Sequence, residues 1–147
     1  MKIKVAWFGK TKEPAIQALT NEYLTRISHY ATVEGVALAD EAALLRYCQR
    51  ARTRSPHTLV LLDSRGKQLS SEEFAEFLQD HEARHPASLL LAVGPADGFR
   101  KETREAAGFL LSLGKMTLPH ELARIILLEQ LYRAFTILKN HPYHRGH

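Results

Sequence analysis

The sequence predicts an α/β fold in which a mostly parallel sheet of five or six strands carries helices on both faces. Short apolar runs alternate with helical patterns of about ten to twenty residues, which is the order of βαβ units. The runs "LVLLD" and "LLLAVG" are apolar at both alternating sets of positions, as strands buried on two faces must be. Because no linker, repeat or shift in composition divides the 147 residues, residues 1–147 are expected to form one domain.

The strands are predicted from their apolar runs, taken in chain order. These runs cover Ile3 to Phe8, Val33 to Leu38, Thr58 to Asp63, Leu89 to Val93, and Phe109 to Leu113. The third and fourth runs are the ones that are apolar on both faces, so they are expected at the centre of the sheet.

The helix after the third strand has a well-specified start. Ser70 precedes Glu73 by three residues, the spacing of a capping box in which each side chain bonds the backbone amide of the other residue. Leu69 and Phe74 stand at the positions of a hydrophobic staple. The segment "SSEEFAEFLQDHEARH" is therefore predicted to be a helix that starts with this capping box. A short helix is also expected to begin near Phe99 or Arg100.

The last helix, from Leu118 to Leu138, is apolar around most of its circumference. Its apolar residues are Leu122, Ile125, Ile126, Leu127, Leu128, Leu131, Tyr132, Phe135, Ile137 and Leu138. Such a helix must be covered on most sides, and the sheet covers only one, so the sequence predicts a homodimer. Glu129 and Arg133, four residues apart, can pair on the remaining polar side, where an exposed pair would contribute little.

Composition excludes several classes of protein. The formal charge of +4 and the isoelectric point near 9.3 favour a polyanionic partner such as nucleic acid without identifying one. The one cysteine, Cys48, excludes an intrachain disulfide framework. The apolar start "MKIKVAWFGK" is too short for a secretion signal, and no run approaches the ~18 apolar residues of a membrane span. The protein is expected in the cytoplasm, without a membrane partner.

Chemistry is expected beyond the carboxyl ends of the strands, where open α/β sheets bind their ligands. The segments concerned are "LLDSRGK" at Leu61 to Lys67, "AVGPADGF" at Ala92 to Phe99, and "SLGKMTLPH" at Ser112 to His120. The residues Gly9, Lys10 and Thr11 do not complete a phosphate-binding loop, because its first glycine would fall on Lys4. Likewise "GPADG" lacks the spacing of a dinucleotide fingerprint.

The terminal histidines raise the question of a metal. His141, His144 and His147 recur at every third position, but Pro142 and Gly146 deny the stretch a helical face and no cysteine cluster accompanies it. No metal site is predicted.

The arginines of "LLRYCQRARTR" allow two interpretations. Arg46, Arg50 and Arg54 lie at spacings of four on one helix face. They form either an ordinary solvated surface or a stripe that contacts phosphate oxygens.

Four segments together resemble a known family. "LLDSRGKQLSSEEFA", "VGPADGF", "SLGKMTLPHELARIILLEQLYRAF" and "NHPYHR" occur in this order along the chain. They resemble the small SPOUT-class ribosomal RNA methyltransferases, which modify a pseudouridine of the large-subunit RNA at its N3 position. The likeness spans essentially the whole chain and is most specific toward the carboxyl terminus.

The resemblance implies a fold, a cofactor and partners. The implied fold is an α/β domain whose C-terminal part is threaded through a loop as a trefoil knot, with S-adenosylmethionine bound in the knot. Periodicity alone does not predict a knot, since knots are nearly absent from protein folds. The resemblance also implies a homodimer with each active site at the interface, acting on the helix 69 hairpin of 23S rRNA in the assembled ribosome.

The cofactor-binding residues follow from the same resemblance. It places Leu62, Gly94 and Pro95 on the walls of the pocket, and the loop that reads the adenine in Leu113, Gly114, Lys115, Met116, Thr117 and Leu118. Glycine allows close approach of the backbone to a ligand, and Pro119 suits a first helical turn. Relatives usually have glycine at the position of Pro95, whose ring removes an amide donor, so the pocket is expected to differ slightly there.

The catalytic hypothesis concerns the tail and one further histidine. Tyr143, His144 and Arg145 of one subunit are expected to reach the cofactor pocket of the other. The acceptor nitrogen must lose a proton, so His144, or a water it orients, is the candidate for assisting deprotonation. Arg145 would steady a phosphate or the developing oxyanion of the base. His120, next to the cofactor loop, is a candidate for a direct or a structural role.

Two other functions stay open at this point. One is a ribosome-binding dimer with this fold and without catalysis, which only Pro95 favours. The other is a related methyltransferase that acts on another RNA, such as a transfer RNA, although "NHPYHR" favours the ribosomal target. With no separate RNA-binding module, RNA must bind a composite basic surface of the dimer, with strong dependence on salt.

Overall fold

The structure is a computed structural model that describes residues 1–54, 57–84 and 87–144, and the side chains of these ranges outside residues 50–57. Strands and helices alternate throughout. They are β1 Lys2–Phe8, α1 Pro14–Ser28, β2 Thr32–Leu38, α2 Glu41–Arg54, β3 His57–Gln68, α3 Ser71–Arg84, β4 Ser88–Val93, α4 Lys101–Ala106, β5 Phe109–Ser112 and α5 His120–Leu138. Every predicted strand is present.

The strands form one parallel sheet of five, in the order β2-β1-β4-β3-β5. Strand β4 lies at the centre with β3 beside it, and every residue of β4 is buried. The α/β prediction and the central position of these two strands are therefore confirmed. All strands point the same way, so their carboxyl ends meet at one edge, where a ligand site is expected.

Each face of the sheet carries its own apolar core. Alternate residues of β4 separate cleanly, since Leu89, Leu91 and Val93 pack in one core and Leu90 and Ala92 in the other. The first core is closed by α1, α3 and α5, and the second by α2 and Phe99. Helices thus cover both faces, as predicted.

Strand β3 continues past its predicted end at Asp63. Leu62 and Lys67 both pair with Leu111, so the residues between them bulge out of the ladder before pairing resumes. The bulge requires Gly66, because a Cβ there would lie 2.5 Å from the backbone of Leu110. The prediction of an end at Asp63 is wrong because the apolar pattern stops at the bulge while the backbone ladder does not.

Two boundaries around the last strand also differ from prediction. Strand β5 ends at Ser112 instead of Leu113, and α5 begins at His120 instead of Leu118. Pro119 is the N-cap, with φ −56° and ψ 143°, and so precedes the first turn. The ring of proline fixes φ, and here ψ is extended, which directs the chain out of the loop and into the helix.

The start of α3 confirms the predicted capping box. The amide of Ser70 donates to Oε1 of Glu73 at 2.8 Å, and the amide of Glu73 donates to Oγ of Ser70 at 3.0 Å. Phe74 is buried in the core and Leu69 packs against the same core, as a hydrophobic staple requires.

Helix α5 returns from the edge strand across the sheet and packs against α1 and α3. Leu127, Leu128 and Leu131 are fully buried, whereas Leu122 and Ile126 are 49% and 37% exposed. The chain therefore covers one side of this helix and leaves an apolar stretch near its start in solvent. None of the helices in the described ranges combines the length and apolarity needed to cross a membrane.

Candidate functional site

A narrow cleft lies at the carboxyl ends of β3, β4 and β5, as the sheet topology predicts. Its walls include all of the predicted cofactor-binding residues except Lys115, namely Leu62, Gly94, Pro95, Leu113, Gly114, Met116, Thr117 and Leu118. Lys115 is exposed to solvent and is not part of the lining. Residues that lie far apart in the sequence thus converge on one place.

The cleft combines apolar side chains with accessible backbone. Gly114 has φ +136° with open space beyond its Cα, a conformation that side chains rarely adopt. Ser112 closes the turn, because its hydroxyl accepts from the amide of Gly114 at 3.1 Å and donates to its carbonyl at 3.0 Å. Met116 is 85% exposed at the rim. Residues 113–118 therefore offer apolar contact and backbone hydrogen-bonding groups, and their one charged side chain, that of Lys115, lies outside the lining.

The cleft lies between two larger cavities. Its own volume is about 70 Å³. A groove of about 330 Å³ between α3 and α5 shares Leu113 and Gly114 with it. A cavity of about 290 Å³ on the other side shares Gly94 and Pro95 and is also lined by His120. His120 is thus exposed beside the cleft, next to the residues that form its wall.

Asp63 is a buried carboxylate in the cleft wall that sequence reasoning did not single out. Its oxygens accept from Arg65 and from the amide of Phe99, and its side chain is 0% exposed. Hydrogen bonds from the Arg65 side chain are the main cause that lowers the pKa of Asp63 to about 2. The signal available in the sequence was a carboxylate at the end of an apolar strand with an arginine two residues later.

The wall that carries Gly94 and Pro95 rests on Phe99. A Cβ on Gly94 would lie 2.5 Å from the Phe99 ring, so only glycine allows the ring to lie against the backbone there. The amide of Gly98 donates to the carbonyl of Pro95 at 2.9 Å. Proline supplies an acceptor to this turn, and the turn does not use the amide that proline lacks.

The start of α5 is tied to the loop between β1 and α1. The amide of Lys12 donates to Oε1 of Glu121 at 3.0 Å, and Arg124 donates to the hydroxyl of Thr11 at 2.7 Å. Arg124 is only 1% exposed, and its guanidinium lies 4.1 Å from the centre of the Trp7 ring. This buried arginine had no signal in the sequence beyond its charge in an apolar helix.

The C-terminal tail folds back on α5 of its own chain. The hydroxyl of Tyr143 donates to Oε2 of Glu129 at 2.9 Å, and its ring lies edge-on to Tyr132 at 4.8 Å. The predicted pair of Glu129 and Arg133 is present at 2.8 Å. It is not an ordinary surface pair, since its side chains are only 19% and 16% exposed.

Both ring nitrogens of His144 have partners. Nη1 of Arg133 lies 2.8 Å from Nδ1, and Oε1 of Glu72 lies 2.6 Å from Nε2. Arginine only donates, so Nδ1 of His144 accepts, and Nε2 carries the proton and donates the hydrogen bond to Glu72. Burial raises the pKa of Tyr143 to about 12, which keeps its hydroxyl protonated near neutral pH.

Several predicted positions lie outside the described residues, and Tyr143 and His144 do not line the cleft of their own chain. Arg145 and His147 fall outside the described residues, as do the side chains of Arg50 and Arg54. Within the described ranges, no three histidine, cysteine, aspartate or glutamate side chains are grouped as a metal site requires.

Comparison with known proteins decides the family. The family described as "Predicted SPOUT methyltransferase" matches residues 1–144. This chain belongs to the SPOUT methyltransferase family. A protein of Koribacter versatilis (strain Ellin345) named "Ribosomal RNA large subunit methyltransferase H" is 56% identical over 147 residues and covers all of both chains. A protein of the same name from Geobacter sulfurreducens is 42% identical over 152 residues, with 98% of this chain and 99% of that one covered.

Solved structures of other methyltransferases share the SPOUT fold of this chain. The SpoU methyltransferase AviRb from Streptomyces viridochromogenes, solved with the cofactor AdoMet, superposes with a TM-score of 0.54 at 14% identity. The match covers 88% of this chain and 56% of AviRb. A probable methylase family protein from Haemophilus influenzae Rd KW20 gives a TM-score of 0.58 at 11% identity, with 96% and 69% covered. The resemblance seen in the sequence is thereby confirmed for family and fold class.

Proposed function

We propose that this protein transfers a methyl group from S-adenosylmethionine to N3 of a pseudouridine in the helix 69 hairpin of 23S rRNA, on the assembled ribosome. The observation that carries the proposal is the full-length identity of 56% with a protein named as a ribosomal RNA large subunit methyltransferase. Because the proposed substrate is the ribosome, we expect the activity in the cytoplasm.

The chemistry of the cleft fits the proposed cofactor. Leu62, Leu113 and Met116 can cover the faces of a purine, while the exposed backbone around Gly114 can bond its polar edge. A cleft of about 70 Å³ is too small for the whole molecule, so the ligand has to extend into a flanking cavity. When bound, the cofactor supplies a methyl group activated on a sulfonium. The protein has to hold the acceptor in line and exclude water.

The proposed assembly is a homodimer. Leu122 and Ile126 lie one turn apart on α5 and are exposed, and a second copy would bury them. The tail is fastened to the same helix through Glu129 and Arg133. If α5 lies at the interface, the tail lies there too, where Tyr143, His144 and Arg145 can reach the partner's cleft.

The contacts of the tail support a separate role for each of its residues in the reaction. Tyr143 stays protonated and therefore positions the tail without acting as a base. The lone pair of His144 is engaged by Arg133, so His144 assists deprotonation either after Arg133 releases it or through a water that it orients. Arg145 steadies a phosphate or the developing oxyanion. His120 lines the neighbouring cavity, where it can contact the RNA or bond the loop.

The test is methyl transfer from labelled S-adenosylmethionine to ribosomes from a strain that lacks the enzyme, with the modified nucleoside located by mass spectrometry. We expect label on one pseudouridine of the large-subunit RNA and none on free transfer RNA. Label on transfer RNA would favour the related methyltransferase. No binding of millimolar cofactor in calorimetry would favour the non-enzymatic dimer, which Pro95 alone suggests.

A further inference from the structure

Asp63 and Arg65 connect two walls of the cleft that come from different parts of the chain. Both residues belong to the bulge of β3, and Phe99 lies in the segment between β4 and α4. Oδ1 of Asp63 accepts from the amide and from Nε of Arg65, at 2.9 Å and 2.8 Å. Oδ2 accepts from Nη2 of Arg65 at 2.8 Å and from the amide of Phe99 at 3.1 Å.

Arg65 completes the connection on the other side of Phe99. Its Nη2 also donates to the carbonyl of Phe99 at 2.8 Å. Asp63 and Arg65 together therefore bond both the amide and the carbonyl of Phe99. The fit is close, because a Cβ on Gly98 would lie 2.7 Å from Nη2 of Arg65 and 2.9 Å from Oδ2 of Asp63. Gly98 has φ +89°, which glycine adopts readily.

The position of Phe99 in turn decides where Gly94 lies. The Phe99 ring is 2% exposed, touches Gly94, and meets Phe8 edge-on at 6.1 Å. A shift of Phe99 therefore moves the wall that carries Gly94 and Pro95. In a cleft of about 70 Å³, a small movement of one wall changes which ligands fit.

We propose that Asp63 and Arg65 form a clamp that sets the position of the 94–99 wall and thereby the affinity for the methyl donor. They are positioning residues, since all their hydrogen bonds described above go to each other and to the backbone of Phe99. The identity of the donor rests on the proposed function. Arg65 is 46% exposed whereas Asp63 is fully buried, so the loss of Arg65 should disturb the fold less than the loss of Asp63.

The variants that test the clamp are Arg65→Ala, Arg65→Lys and Asp63→Asn. We expect Arg65→Ala to raise the Kd for S-adenosylmethionine about tenfold, or about 1.4 kcal/mol, with kcat at saturating donor little changed. Arg65→Lys should recover part of the loss, because lysine keeps the charge but lacks the planar fork that reaches Asp63 and Phe99 together. Arg100→Ala is the matched control, since Arg100 is adjacent to Phe99 and pairs with Glu41 outside the cleft.

A second measurement does not depend on the donor. Hydrogen exchange of the amides of Gly98 and Phe99 should be faster in Arg65→Ala than in the wild type and unchanged in Arg100→Ala. Unchanged exchange, or wild-type donor affinity in Arg65→Ala, overturns the clamp. If the wild type itself binds no donor, the proposed function fails, while exchange still decides whether the clamp exists. Should Asp63→Asn fail to fold, the more exposed Arg65 carries the test.

Discussion

Arg133 donates a hydrogen bond to Nδ1 of His144 across 2.8 Å, and this contact decides which ring nitrogen of the histidine carries the proton. The other nitrogen then donates to Glu72 on α3. The histidine proposed to help remove a proton from the acceptor is thus held by two helices of its own chain. The same contacts hold the tail against α3 and α5.

Substitution of His144 tests its part in the reaction. We expect His144→Ala to lower the methylation rate about a hundredfold, because general acid–base groups typically contribute at least that much. The Kd for the cofactor should change by less than about twofold, since the proposed role of His144 concerns the proton of the acceptor and not the binding of the methyl donor. His29→Ala is the control, as His29 is an exposed histidine just after α1, outside both the tail and the lining of the cleft. Near-normal turnover in both His144→Ala and Arg145→Ala would remove the tail from the mechanism.

Asp63 should make part of the stability depend on acid. Its pKa is lowered from 3.8 to about 2 in the folded protein. Its contribution is therefore complete above about pH 4, the unfolded value, and is lost as the pH falls toward 2. We expect the free energy of unfolding of the wild type to fall by about 2 kcal/mol over this window. The Asp63→Asn variant lacks this contribution, so its free energy of unfolding should fall by about 2 kcal/mol less. Urea unfolding at several pH values measures the difference, with the exposed Asp80→Asn as control. Parallel curves for the wild type and Asp63→Asn would contradict it.

Arg124 should be important for folding although it is charged. Removal of this buried side chain takes away its stacking on Trp7 and leaves the hydroxyl of Thr11 without its donor. We expect Arg124→Ala to cost about 3 kcal/mol, which lowers Tm by about 6–12 °C. Thermal unfolding gives the Tm, and the fluorescence of the one tryptophan reports the lost contact. Arg26→Ala, at a 43% exposed position paired with Glu22, should change stability by less than about 1 kcal/mol.

A charge on the exposed part of α5 should separate the proposed dimer. Ile126→Glu or Leu122→Glu would place an unpaired carboxylate in the interface, at positions that tolerate it in the free chain. We expect monomers in sedimentation with the circular dichroism of the wild type, and loss of methylation. Leu19→Glu, at a 42% exposed leucine on α1, shows whether α1 also lies in the interface. A wild type that sediments as a monomer would exclude the dimer.

The loop between β1 and α1 should contact RNA. Lys10 and Lys12 are exposed on this loop, which Arg124 and Glu121 hold against the start of α5 beside the cleft. Each lost phosphate contact reduces the slope of log K against log salt by about 0.7–0.9. We expect the double change to alanine to reduce it by about 1.5, whereas Lys2→Ala, at the amino end of β1, should leave it unchanged. An unaltered slope in the double variant would remove this loop from the RNA surface.

The loop predicted to bind the cofactor, residues 113–118, shows how far local sequence could predict the site. Gly114 and Pro119 carry local conformational signals, whereas the assignment of Leu113 to Leu118 to the cofactor came from the family resemblance. Neither the local signals nor the resemblance predicts that Met116 lines the cleft while Lys115 does not. Which side chain faces the cleft depends on the path of the loop in space. The bulge in β3 was missed for a similar reason, since it depends on the approach of Gly66 to the backbone of β5.

By itself, the sequence determined the α/β class, the order of the strands' apolar runs and the capping box at Ser70, because each is encoded in residues close together along the chain. Only the tertiary structure decided the contact of Arg65 with Phe99, the burial of Arg124 against Trp7, and the capture of His144 by Arg133 and Glu72. These contacts join residues that are mostly far apart in sequence. A hydrogen bond of this kind depends on distance and direction in space, and neither is set by composition or periodicity.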